Sequence, residues 1–160
     1  MKLTLNREFF LRHLFVAVLM LGLGCWFGYD GFVGYPSKTP SQLYEEIEKS
    51  APPSPEAAQK VYDNAIPRQK QFMGLALLAA LAVGLHLLLV SRLDVSFDDE
   101  GFTWNGKRFA YSDISRIDDS KWEKKQICVL FVKGGGKLVL DAWHHVGAKE
   151  MHAKIASPKA

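Results

Sequence analysis

Aspartate, glutamate and lysine are missing from the two longest apolar stretches of this 160-residue chain, Phe9 to Tyr29 and Phe72 to Val90. Only Arg12, His13 and His86 break their apolar character, each within a turn or two of an end. About 20 apolar residues in a helix rising ~1.5 Å per residue cover the ~30 Å hydrocarbon core of a bilayer. Each run can therefore cross a membrane once, and the chain reads as a membrane protein. Cysteine is scarce as well. Cys25 sits in the first run and Cys128 in a strand-like stretch, so a disulfide would have to join a membrane span to a sheet core, and two free thiols are expected. Concentrated charge is also lacking. Residues 1–29 hold three bases and one acid, 30–71 five bases and six acids, and 92–160 twelve bases and ten acids. A net charge of +3 spread this thinly offers no basic stripe for nucleic acid.

Catalytic signatures are absent too, and no cofactor or metal site is expected. Gly134-Gly135-Gly136-Lys137 runs into Leu138-Val139-Leu140, a strand, whereas a phosphate-binding loop needs Ser or Thr opening a helix. It reads as a hairpin turn. Asp141, His144, His145 and His152 lie close in sequence, but His145 and His152 would stand about 10 Å apart along a helix axis, too far to share one metal ion. They are read as surface histidines on a closing helix.

The spans divide the chain into a tail (1–8), a first span (9–29), a loop (30–71), a second span (72–91), a C-terminal domain (92–156) and a short tail (157–160). Gly22-Leu23-Gly24-Cys25 has the look of a lipoprotein cleavage box, but Gly stands three residues before the cysteine and Trp26-Phe27 continue the apolar run. An uncleaved anchor is expected, with Trp26, Tyr29 and Phe32 as an aromatic belt. Two spans put both termini on one side. Lys2, Arg7, Arg12 and Arg92 favour the cytoplasmic face of a cell inner membrane, against Arg68 and Lys70 at the second span. His86 is an intramembrane polar group, read as pairing between helices. Gly24 and Gly28 carry the spacing of a close-packing motif, and Gly74, Ala76, Ala79, Ala80 and Gly84 allow close approach from the second span.

In the loop, Thr39-Pro40-Ser41-Gln42 supplies an N-cap, a proline at the first helical position and Gln at the third, and Ser54-Pro55-Glu56 repeats the start signal. Two short helices are expected, the second stopped by Pro67. Tyr35, Tyr44 and Tyr62 are the candidate partner contacts, because aromatic residues dominate interface hot spots.

After Arg92 the period becomes two. Val95-Ser96-Phe97 alternates, Asp98-Asp99-Glu100-Gly101 turns, and Asn105-Gly106 is a hairpin signal whose two residues favour positive φ. Gln126 to Lys133 reads as an apolar strand and Trp143 to Ala156 as a closing helix with His144, Ala148, Met151 and Ile155 inward. Lys121, Trp122, Lys124 and Lys125 form a basic-aromatic loop, the candidate contact with a membrane surface.

This order, with Tyr111-Ser112-Asp113-Ile114-Ser115-Arg116-Ile117 as its most specific stretch and Leu138-Val139-Leu140 before the last helix, resembles a bacterial pleckstrin-homology-like domain over residues 92–156. The resemblance implies an α+β domain, a small antiparallel barrel or sheet with a C-terminal helix, attached here to a membrane α-helical hairpin. It also implies a ligand drawn from phosphoinositides, peptides or neighbouring subunits. Lipid-binding members of the wider fold carry bases where this chain has Asp98, Asp99 and Glu100, and three acids repel a phosphate headgroup. A protein or peptide partner is thus expected for a non-enzymatic, membrane-anchored module. The alternative is a small accessory or assembly subunit of a larger membrane complex.

Overall fold

The computed structural model describes residues 1–134 and 136–156. In chain order the elements are β1 (Thr4–Leu5), α1 (Arg7–Tyr29), α2 (Pro40–Glu48), α3 (Pro55–Ser91), β2 (Val95–Phe97), β3 (Gly101–Trp104), β4 (Lys107–Ala110), β5 (Ile114–Lys121), α4 (Trp122–Lys125), β6 (Ile127–Val132), β7 (Gly136–Asp141), β8 (His145–Val146) and α5 (Ala148–Ala156). They form two compact units, Met1–Arg12 with His86–Ala160, and His13–Leu85.

In the second unit, α1 and α3 supply two helices long and apolar enough to cross a membrane. Their side chains remain outward, Phe15 being 68% exposed. A helix in the core of a soluble domain would hide such residues. Trp26, Tyr29 and Phe32 are exposed at the far end of the first helix, which continues as a wider π-helical turn, Asp30–Gly34.

The two helices approach along a small-residue stripe. A methyl group on Gly24 would lie 2.8 Å from Leu77 Cδ2, one on Gly28 3.0 Å from Met73 Sδ, and one on Gly31 3.3 Å from the backbone N of Lys70. Gly22, Gly74 and Gly84 face open space and take no part.

Helix α2 starts as its sequence says. Gln42 N–H donates to Thr39 Oγ1 (3.4 Å) while Thr39 N–H donates to Gln42 Oε1 (2.9 Å), and Leu43 is buried. At the start of α3, Ala57 N–H donates to Ser54 Oγ (3.2 Å).

Pro67 does not end a separate loop helix; it lies inside the 37-residue α3. A proline in a helix interior costs about 3 kcal/mol. Stopping and restarting would need a new nucleus, whose equilibrium penalty of roughly 10⁻³ is worth about 4 kcal/mol. Continuing through the defect is the cheaper course.

In the first unit, the strands form three open antiparallel sheets, ordered β1-β8, β2-β3-β4 and β5-β6-β7. Of the two expected forms, barrel or sheet, the described strands take the open sheet. Between β4 and β5 the chain winds through a 3₁₀ turn at Tyr111–Asp113, where Ala110 N–H donates to Asp113 Oδ2 (2.9 Å), so the two strands share no ladder. Asn105 (φ 48°) and Gly106 (φ 80°) make the expected tight turn between β3 and β4. Gly101 is needed for another reason: a methyl group there would stand 2.1 Å from Phe109 O on β4. Val132 pairs with Gly136 across the β6–β7 hairpin, whose Gly135 lies outside the described residues.

The core gathers Val95, Phe97 and Phe102 from the first large sheet, Cys128, Leu130, Val132, Leu138 and Leu140 from the second, and Ala148 and Met151 from α5. Leu3 joins them, which corrects the reading of residues 1–8 as a tail. Leu3 N–H donates to Val95 O (2.8 Å), Phe97 N–H to Met1 O (2.7 Å) and Asn6 N–H to His144 O (2.8 Å), while Thr4 and Leu5 pair with Val146 and His145. The alternation of Leu3 and Leu5 with Lys2, Thr4 and Asn6 carries this strand in the sequence.

The closing helix begins later than its apolar spacing suggests. Asp141 Oδ1 accepts N–H bonds from Trp143 (2.9 Å) and His144 (3.3 Å), and Gly147 takes a φ of 93°, so His144 and His145 belong to a turn and a strand.

Replacing Gly28 by Leu is expected to destabilise the helix pair by about 1–3 kcal/mol through overpacking against Met73. Gly22→Leu, placed in open space, should leave the thermal midpoint in detergent unchanged. Equal effects of the two substitutions would contradict the packing described here.

Candidate functional site

Beside the edge of β5 lies a groove of about 270 Å³ lined by Tyr111, Ile114, Ser115, Arg116, Ile117 and Ile155. Alternate residues of a strand point to opposite faces of its sheet. Four consecutive β5 residues line this groove, and the register shifts between Ile114 and Arg116, so its wall is a bulged stretch of the strand's edge. Among the described strands β5 pairs only with β6, leaving that edge open. Ile155 of α5 forms the facing wall. Beyond Ile117 the edge is blunted by charge and irregularity. Asp118 Oδ1 accepts from Ser120 N–H (3.2 Å) and Ser120 Oγ–H (2.7 Å), which holds its carboxyl below the usual range, and the register shifts between Asp118 and Lys121. Arg116 is held over the Phe131 ring at 4.0 Å, and Ser115 Oγ–H donates to Phe131 O (3.0 Å). The open part of the edge thus runs from Ile114 to Ile117.

The acidic turn is built into the fold. Asp98 Oδ1 accepts from Arg108 Nη2 (2.7 Å), Glu100 N–H (2.9 Å) and Gly101 N–H (3.1 Å), and Tyr111 Oη–H donates to Asp98 O (2.7 Å). The Arg108 guanidinium first, and the turn amides after it, hold the Asp98 carboxyl well below the usual carboxylate range. Asp99 pairs with Lys154 of α5.

Of the four candidate membrane contacts, Lys121, Lys124 and Lys125 are exposed. Trp122 turns inward and stacks on His152, with ring centroids 3.7 Å apart and planes at 17°. The expected loop is the end of β5 and the short helix α4, and it presents lysines without its aromatic. Tyr35, Tyr44 and Tyr62 are all half-buried. Tyr35 Oη accepts from Gln69 Nε2 (3.2 Å) and its ring lies 5.7 Å from Lys38 Nζ. A second groove, between α2 and α3, is lined by Ile47, Val61, Ala65 and polar neighbours and by none of the three tyrosines.

His86 packs its ring against Phe9 (6.0 Å) and His144 (5.5 Å), and Phe9 lies 4.4 Å from His144. His144 Nδ1 is 3.3 Å from Asp141 Oδ2. His86 of α3 thus meets Phe9 of α1 and His144 of the turn before β8. The expectation of surface histidines fails for His145, which is buried with Nε2 3.2 Å from Val90 O. It fails for His152 too, which is covered by Trp122.

Among the described residues, one group has ligand atoms close enough to hold a metal ion: Asp119 of β5, Cys128 of β6 and His152 of α5, all within 4.8 Å of one another. Burial, with Asp119 and Asp118 nearby, pushes the Cys128 thiol up to about 11. Sequence reasoning missed the group because its spacing follows no ligand motif and Cys128 occupies an inward position of an apolar strand.

No family model, curated protein or solved structure matches the chain.

Asp98 is a stronger acid in the folded chain than in the unfolded one, so its stabilisation is complete above the unfolded carboxylate pKa, about 3.9, and fades as pH falls toward the lowered folded value. Asp98→Asn should lower the thermal midpoint at neutral pH, and its deficit relative to the parent should shrink below about pH 4. A deficit independent of pH, followed by circular dichroism, would show that the charge of Asp98 contributes nothing.

Proposed function

We propose that this chain is a membrane-anchored, non-enzymatic interaction module, with two spans and a C-terminal pleckstrin-homology-like domain that binds a protein or peptide partner at the membrane surface. The open β5 edge beside α5 carries this reading. An extended peptide can add as a strand to an exposed edge, with backbone hydrogen bonds supplying affinity and pockets for alternate side chains supplying specificity. Ile114, Ile117 and Ile155 suit an apolar side chain, and Arg116 suits an acidic one. The acidic turn, already engaged by Arg108 and Lys154, speaks against a phosphate headgroup at that position.

In this reading the protein resides in the inner membrane of a bacterial cell with both termini in the cytoplasm. The pairing of Thr4–Leu5 with His145–Val146 supports a common side for the two flanks. Basic residues around the helix ends favour the cytoplasm. The alternative, an accessory subunit of a membrane complex, draws on a separate observation. A cleft of about 330 Å³ between α1 and α3 is lined by Leu23, Phe27, Phe72 and Leu75, an apolar surface that would receive a partner helix or lipid.

Two measurements test these readings on the full chain. A cysteine reporter at Pro53, on a Cys25→Ser background, should react with an impermeant thiol reagent in intact cells, and one at Ala160 should not. The reverse pattern would invert the orientation. Ile117→Asp, which places a charge at the end of the open stretch of edge, should reduce capture of co-purifying proteins in mild detergent by at least tenfold while leaving the fold intact. Partners retained at full stoichiometry by that variant would favour the subunit reading.

A further inference from the structure

A β5 irregularity, an inward position of β6 and one face of α5 bring three different ligand types together. Asp119 lies within the register shift of β5, Cys128 is fully buried on β6, and His152 is carried by α5. Their ligand atoms fall within 4.8 Å of one another. His152 Nε2 is buried and makes no hydrogen bond; it stands 3.5 Å from Asp119 Oδ2, an ion pair only when the imidazole is protonated. An imidazole nitrogen left in this state costs free energy unless something accepts its lone pair or its proton. The parallel stack with Trp122 fixes the plane of the ring and so the direction of that nitrogen.

We propose that Asp119, Cys128 and His152 form a binding site for a zinc-class divalent cation. Thiolate, imidazole and carboxylate together suit a borderline-soft ion, whereas magnesium and calcium take oxygen ligands. Zinc bonds of about 2.0–2.3 Å require the three ligand atoms to close by roughly an ångström, within the reach of side-chain rotation. On binding, Cys128 gives its proton to solvent as the sulfur–metal bond forms. Asp119 is exposed, so the coordination position left by three protein ligands is open to water. Because the ligands come from β5, β6 and α5, the ion clips the closing helix to the second large sheet.

Cobalt(II) and zinc titrations of the chelator-treated full chain in detergent test this. The chain has two cysteines, so a Cys25→Ser background assigns any thiolate-to-cobalt charge-transfer band to Cys128. The expected result is a band that saturates at one cobalt per chain, is displaced by zinc, and is accompanied by a rise in thermal midpoint, since a ligand bound only by the folded state stabilises it. Asp119→Asn changes an exposed side chain and should weaken binding at least tenfold without disturbing the fold. His152→Gln and Cys128→Ala should abolish the band. Absence of the band in the Cys25→Ser protein would overturn the site, as would unchanged affinity in folded Asp119→Asn or His152→Gln.

Discussion

Backbone hydrogen bonds joining Leu3 to Val95, Phe97 to Met1 and Asn6 to His144 fasten the first residues of the chain to segments about ninety to one hundred and forty positions away. This pairing gives β2 and β8 a neighbour each and lets Leu3 fill core between them. Removing residues 1–6 would expose Val95 and Phe97 to water and take their strand partner from the residues of β8. The C-terminal domain therefore has an N-terminal strand, and residues 92–160 alone lack part of their own core.

Charge is distributed so that it restrains the domain more than it decorates it. Asp98 organises its turn through Arg108 and two amides, Asp99 meets Lys154 on α5, and Lys2 reaches Asp94 at 2.9 Å. The pairs are exposed and screened by solvent, so each is individually weak. Their value is positional, since they tie the β2–β3 turn to β4 and α5. Charge on β5 is uneven along its edge: Asp118, Asp119 and Lys121 discourage strand pairing over one half, whereas Ile114 to Ile117 carry the single charge of Arg116.

The apolar helices follow a different logic. Leu77, Met73 and Lys70 of α3 lie against Gly24 and Gly28 of α1 and Gly31 of the π-helical turn after it, where the lack of side chains permits close backbone approach. Most other large side chains of these helices point outward. Association through a narrow small-residue stripe, with a wide apolar exterior, is what helices surrounded by hydrocarbon require, because dispersion and close packing replace the hydrophobic effect as the driving force.

Several elements were legible from the sequence because they depend on neighbours within one turn of chain. The apolar length of α1 and α3, the Thr39 capping box, the Asn105-Gly106 turn, the alternation of β2, the apolar run of β6, and the stripe through Gly24 and Gly28 all rest on local spacing and local hydrogen bonds. Three further outcomes turn on competition between local signals, and tertiary structure decided the rest. Pro67 continues a helix because the apolar run beyond it makes a new nucleus more costly than one missing bond. The sheets stay open because a 3₁₀ turn parts β4 from β5, and the closing helix waits for Gly147 because Asp141 captures the amides before it. The stack of Trp122 on His152, and the meeting of Asp119, Cys128 and His152, join residues from three elements with no regular spacing. A single chain's periodicity records which face a side chain occupies; only the packing of those faces determines what it meets there.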